Sequence, residues 1–410
     1  MTRLYGWDTV SVIGIDLVNQ ALAKSGNQLI TEFEFKDEDL NLSGQFGAWQ
    51  IAPGGTLQRV NLTLPIKLGK IEGWLGDADL AGITLNVRVI LRLLPSPEAP
   101  DEQHLVFDLE ESFQGDDAIE PISVEDPDER LSAQQQTGLR RAVAWCLSAH
   151  SAQVSFVFAS VKARGTVETD TLATDHHDWM LVNTVDDQQY LVVLGAMKRP
   201  VAADAFDTSM LSANPSAVLA VSKSLLVSRF LLPTMRESFK PKSNFVVKGD
   251  KVVNAGPIRL PRLKKGIYKI DLTITSLTLT SGKDLLLCNA NVEAPLKFLA
   301  TFYTEIKMRM PVTFDKTTGR IVVKPDPNPE ETHTIKFPKI LDFLIGWLVR
   351  WIMSFFDDLI KRAVVSVATG FERLNSPQIN TVKWTGIRDF KTGAVALDGN
   401  IVLSDTRPLN

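Results

Sequence analysis

Histidines and carboxylates stand together at one place in this chain, Asp175-His176-His177-Asp178. A metal site needs ligands that converge on a point, and neighbours in a strand or loop project apart, so the cluster does not read as a metal centre. Between Asp108 and Arg130 lies an acidic stretch with Glu110, Glu111, Asp116, Asp117, Glu125, Asp126, Asp128 and Glu129. It lacks the alternating ligand spacing of a calcium loop and reads as a solvated segment, or as a surface for a basic partner. Cys146 and Cys288 are too few for a disulfide framework and read as buried thiols. No HExxH, GxSxG, P-loop or dinucleotide fingerprint occurs, and Pro53-Gly54-Gly55 lacks the lysine of a phosphate loop. These residues point away from an enzyme and imply no cofactor.

The basic stretch from Arg236 to Lys265 offers a different chemistry. Lys240, Lys242, Arg262, Lys264 and Lys265 are candidates for docking onto anionic headgroups, where each cation contributes about 1 kcal/mol. A solvated loop and strand edge is the plainer reading of the same residues. The whole chain carries a net charge of only −4, which argues against a nucleic-acid binder.

The strongest pattern is apolar. From Leu296 onward the even positions read Leu296, Phe298, Ala300, Phe302, Thr304, Ile306, Met308, Met310, Val312 and Phe314, while the odd positions include Lys297, Glu305, Lys307 and Arg309. Period-two alternation predicts a half-buried strand, about 60 Å long if unbroken. Pro311 marks an edge or an irregularity within it. Val60 to Leu68 and Ile83 to Leu93 alternate likewise, and the run Tyr268 to Leu279 changes phase at Ser276, the mark of a β-bulge. Pro53-Gly54-Gly55, Ser281-Gly282, Thr318-Gly319 and Asp398-Gly399 are the expected hairpin turns.

Helices are predicted over about Trp7–Lys24, with Asp8 as N-cap, and over about Leu131–His150. A third begins near Pro215 and is kinked or ended by Pro233. A fourth spans about Pro338–Phe371. Its polar residues Asp342, Gly346, Arg350, Ser354, Asp357 and Lys361 form one narrow stripe, and the rest of its girth is apolar. Phe343, Trp347, Trp351 and Phe355 on this helix, with Phe298, Phe302, Ile306, Met308 and Met310 on the long strand, are the candidate lipid contacts; a solid core would use the same residues.

The order helix, strands, helix, strands occurs twice, which divides the chain into residues 1–205 and 206–410. Asp8 and Asp16 interrupt any signal-peptide core, and Asp342 and Arg350 interrupt the greasiest stretch. The expectation is a protein cytoplasmic as synthesised, without a membrane span, released if at all by a dedicated route.

The opening Tyr5-Gly6-Trp7-Asp8, followed by an amphipathic segment, resembles the start of the clostridial accessory proteins encoded beside botulinum neurotoxin and OrfX genes. Those proteins belong to the tubular lipid-binding (TULIP) superfamily, with bactericidal permeability-increasing protein as a relative. The resemblance implies an α+β, mainly β fold: long, highly curved antiparallel sheets wrapped around long helices, in two similar units of one elongated body. It implies an apolar cavity suited to lipid, a role beside a toxin or secreted cargo, and partners encoded in the same operon. It brings no catalytic residues. A scaffold that binds only proteins is the alternative.

Overall fold

The computed structural model describes residues 2–37, 39–110, 118–163, 172–199, 205–239, 245–260, 262–265, 268–296, 300–324, 329–335, 350, 354, 381–387 and 390–405. Two compact units divide the chain. The first in sequence, called here the N-terminal unit, comprises Tyr5–Val218, Asn380–Phe390 and Arg407–Asn410. The C-terminal unit comprises Met1–Leu4, Leu219–Ile379 and Lys391–Thr406. The architecture is mainly β, with curled half-barrel sheets.

In the N-terminal unit a ten-stranded sheet has the antiparallel path Glu32–Asp37, Leu40–Phe46, Arg59–Gly73, Thr84–Pro95, Glu102–Asp108, Val157–Lys162 and Val382–Trp384. Its alternation is that of a one-sided sheet. Val60, Leu62, Leu64, Leu85, Val87 and Val89 are buried while the residues between them are half-exposed. The expected turn at Pro53-Gly54-Gly55 is instead an irregularity inside the strand Gln50–Thr56, whose register shifts between Ala52 and Thr56. The chain reverses one step later, at Leu57 and Gln58.

The predicted first helix is half strand. Thr9–Gly14 pairs antiparallel with Gln189–Ala196, and only Ile15–Lys24 is helical. Asp8 does not cap the helix; its Oδ2 accepts the Met197 N–H at 2.8 Å. The helix turns Ile15, Val18, Ala21 and Leu22 inward, and Asn19 fixes it to the sheet by exchanging hydrogen bonds with the Ile51 backbone at 2.7 and 3.0 Å. The second helix, Ala133–Ala149, starts at a capping box in which Ser132 and Gln135 satisfy each other's backbone N–H.

The same correction recurs where the chain passes into the C-terminal unit. Ala217–Val221 is a strand, not the start of a helix; the helical stretch begins at Lys223, capped by the Ser222 hydroxyl. A π turn at Val227–Leu231 interrupts it, and it continues through Pro233 as Leu232–Ser238. Pro233 therefore does not end the helix: it directly follows the π turn, where the regular i→i−4 bonding is already interrupted. Strand-to-helix steps thus occur twice, from Thr9 to Ile15 and from Ala217 to Lys223.

The main sheet of the C-terminal unit runs Phe245–Lys248, Lys251–Asn254, Thr273–Ser281, Leu285–Leu296, Ala300–Asp315 and Arg320–Val323, with Glu330–Ile335 also on the fifth strand. The single strand expected from Leu296 onward is two antiparallel strands. Leu296 is paired with Ala300, and an even spacing across the reversal carries the alternation through. The 16-residue strand Ala300–Asp315 spans about 50 Å. Pro311 sits where this strand changes neighbour, since Glu330–Ile335 pairs with 302–307 and Arg320–Val323 with 312–315. A residue without an N–H is tolerated in that gap. The bulge expected at Ser276 is present as a register shift between Ile274 and Ser276. Tyr268–Ile270 leaves the main sheet and forms a separate hairpin with Leu263–Lys265.

Candidate functional site

Three strands of the C-terminal unit build a continuous apolar face. Register aligns Leu279, Cys288 and Met308 in one row, Leu277, Ala290 and Ile306 in the next, then Ile274, Val292 and Thr304. Each of these residues is buried, as are Phe302 and Met310 farther along the long strand. The central strand contributes small side chains, Cys288, Ala290 and Ala294, between the larger residues of its neighbours. The three strands together form one apolar face, the trough, which the rest of the protein screens from solvent. Four predicted lipid contacts, Phe302, Ile306, Met308 and Met310, are brought together here. Phe298, Phe343, Trp347, Trp351 and Phe355 lie outside the described residues. Arg350 and Ser354, assigned from sequence to the polar stripe of the last helix, are helical and exposed.

The chemistry of the trough is that of an inert surface. Among the described residues of these strands, Ser281 and Thr304 are the buried polar ones, and no charged side chain is buried with them. The Ser281 hydroxyl donates to the Gly399 carbonyl at 2.8 Å. Burial pushes the Cys288 thiol up to about 12, so it stays protonated at neutral pH and offers no nucleophile. The π turn at Val227–Leu231 packs on the Lys251–Asn254 and Thr273–Ser281 strands, burying Val227, Phe230 and Leu231.

The basic segment is divided between two hairpins and the residues that flank them. Arg236 donates to the Phe245 carbonyl at 2.9 and 3.3 Å, and Arg262 holds Asp271 through two hydrogen bonds of 2.5 and 3.0 Å. Lys264 and Lys265 lie in the small hairpin, and Lys240 and Lys242 lie outside the described residues. Lys248 and Lys251 are exposed and directly opposite each other across a tight turn.

Sequence reasoning missed an aromatic run in the N-terminal unit. Phe33, Phe46, Trp49, Phe107, Phe158 and Phe156 follow one another with ring centroids 4.8 to 6.3 Å apart, mostly edge to face. The Trp49 Nε1 is buried within it without a hydrogen-bond partner. Only the period-two spacing of Phe156 and Phe158 hinted at this run; its members come from segments far apart in sequence.

The histidine cluster lies on the strand His176–Asn183. His177 is held by Thr174, Oγ1 to Nε2 2.9 Å, while Asp178 accepts the Trp179 N–H. Burial lowers the His177 pKa to about 4, against the opposing pull of Asp175. Among the described residues no three His, Cys, Asp or Glu side chains are grouped to hold a metal ion. Parts of the acidic stretch are structural: Asp108 pairs with Arg92 at 3.0 Å and Glu120 with Arg88 at 3.0 Å. Among the described residues no helix is long and apolar enough to cross a membrane.

Comparison with known proteins gives a consistent result. The family described as "OrfX-like: Protein OrfX2/OrfX3/P47" matches residues 4–370. Protein OrfX3 of Clostridium botulinum (strain Kyoto / Type A2) is 29% identical over 131 residues, which cover 30% of this chain and 26% of the relative. The matched region thus spans about a quarter of that curated relative's length. The structure of P47 from Clostridium botulinum A2 superposes with a TM-score of 0.79 at 18% identity, covering 99% of this chain and 98% of that one. P47 of Clostridium botulinum E1 gives a TM-score of 0.76 at 17% identity, covering 99% and 100%. At these identities the structural likeness shows a common fold.

Proposed function

This chain belongs to the OrfX-like family of OrfX2, OrfX3 and P47 proteins, and on that premise we propose that it binds lipid or another apolar ligand without catalysing a reaction. The ligand occupies the trough formed by Thr273–Ser281, Leu285–Leu296 and Ala300–Asp315, and the protein acts as an accessory to a toxin or secreted cargo. One observation carries the reading. A long strand presents Phe302, Ile306, Met308 and Met310 to the same side as a row of small residues, with no charge among them. Such a surface suits an unbranched hydrocarbon chain, which gains about 0.8 kcal/mol for each methylene it buries. The neutral Cys288 thiol and the lack of convergent acids and bases among the described residues favour retention over turnover.

Solvent extraction and native mass spectrometry of the purified full chain test this directly. Lipid is expected to co-purify, and Ala290→Phe, which fills the trough, is expected to displace it and to weaken uptake of a fluorescent fatty acid. A protein that yields no lipid and takes up no fatty acid sinks the proposal. The alternative, a scaffold for proteins encoded in the same operon, is favoured by the exposed cations of the C-terminal unit. Pull-down with those proteins separates the two readings.

A further inference from the structure

The small net charge of the chain conceals a large separation of charge. The N-terminal unit carries 17 Lys and Arg against 32 Asp and Glu, a formal charge of −15. The C-terminal unit carries 27 against 16, or +11, and the two together restore the −4 of the whole. Segregation on this scale creates opposite potentials that steer association, and its effect depends on ionic strength.

On the cationic unit the charge is also arranged at a cost to stability. The hairpin Phe245–Lys248 and Lys251–Asn254 sets Lys248 directly opposite Lys251, both exposed. Like charges facing each other across a strand pair destabilise it. The nearby carboxylate of Asp250 does not relieve them fully, because it is held by Lys223 at 2.5 Å. In the second hairpin, register places Lys264 opposite Lys269, flanked in sequence by Arg259 and Arg262. Two hairpins that concentrate cations in this way suit an anionic macromolecular surface.

We infer that this surface is supplied by a second copy of the chain, the cationic hairpins of one copy docking on the acidic unit of the next. The chain itself carries the complement: an N-terminal unit with nearly two acids for every base. A contact of this kind either closes reciprocally about a two-fold axis as a dimer or repeats from copy to copy as a larger assembly. It needs neither the apolar trough nor a ligand.

Sedimentation velocity of the full-length protein over a concentration series tests the inference, with an ionic strength of about 10 mM compared with about 1 M. The screening length falls from about 30 Å to about 3 Å between them. Concentration-dependent assembly is expected at low salt and reversion to monomer at high salt, with the association constant lower by at least about tenfold. Lys248→Glu with Lys251→Glu and Lys269→Glu is expected to remain monomeric at low salt while its melting curve stays that of the parent. A parent that is monomeric at both ionic strengths overturns the inference, as does assembly indifferent to salt. So does a folded charge-reversed variant that assembles like the parent. A parent that stays monomeric yet binds vesicles containing anionic lipid assigns the hairpins to a membrane and overturns it too.

Discussion

The two units bury one face of a curled antiparallel sheet with different side chains. In the N-terminal unit aromatic rings fill the interior in an unbroken series from Phe33 to Phe156, each touching the next. In the C-terminal unit the central strand carries the small residues Cys288, Ala290 and Ala294 on its buried side, and its long neighbour sets flexible Met308 and Met310 beside a single ring, Phe302. Interlocked rings make a rigid, side-chain-packed interior. Methionine and alanine on a trough make a surface that accommodates what lies against it. The contrast predicts that stability rests mainly on the rings of the first unit and that the face of the second tolerates change more readily.

Substitution can break that assignment. Phe158→Ala removes a ring packed at 4.8 and 4.9 Å against two others and is expected to cost about 3–5 kcal/mol, read by denaturant unfolding. A loss below about 1 kcal/mol would show that the ring series is not close-packed. The next effect in size is pH dependence in the N-terminal unit. His177 has its pKa lowered by burial to about 4, so the unfolded chain binds a proton more readily than the folded one between pH 6.5 and 4. Stability is therefore full above about pH 6.5 and declines through that window by at most about 3 kcal/mol. In His177→Gln this decline should flatten in thermal melts recorded at pH 7, 5.5 and 4.5.

Met308→Ala sharpens the comparison from the other side. If its side chain borders a ligand, the loss should be about 2 kcal/mol or less, at the low end for a buried methionine, and fatty-acid uptake should change with it. A larger loss with unchanged uptake would make the trough part of a solid core. The smallest effect belongs to the Lys223–Asp250 pair, half exposed at 2.5 Å. Asp250→Asn is expected to cost less than about 1 kcal/mol in the same unfolding assay.

Much of this fold is written locally in the sequence. Alternation at Val60–Ile66, Leu85–Val89 and Phe302–Val312 placed the strands and their buried faces, because a residue in a one-sided sheet reports its own environment. The errors have a physical cause as well. Thr9–Gly14 and Ala217–Val221 are buried almost throughout, so neither shows the inside-outside contrast of a one-sided strand, and Val10, Ile13 and the run Ala217–Val221 fit a buried helix as well. The β-branched residues Thr9, Val10, Val12 and Ile13 were the available arbiter. Gly54 and Gly55 signal a departure from regular backbone, and a bulge meets that description as well as a turn. The trough was half legible, since the long strand declared its apolar side, whereas Cys288 and Ala290 entered it only through strand pairing. The aromatic run was legible only in the spacing of Phe156 and Phe158, because proximity between Trp49, Phe107 and Phe158 is decided by the sheet and not by any local pattern.

The strand Val382–Trp384 completes the N-terminal unit by pairing with Val157–Lys162, with Val382 opposite Val161. During synthesis that pairing cannot form until some two hundred further residues have been made, which at ribosomal speeds takes on the order of ten to forty seconds. Through that interval the nascent sheet keeps an open edge, with backbone groups able to recruit any extended neighbour. Chaperone protection in that window, more than the finished stability of either unit, should govern how much of this protein a cell recovers.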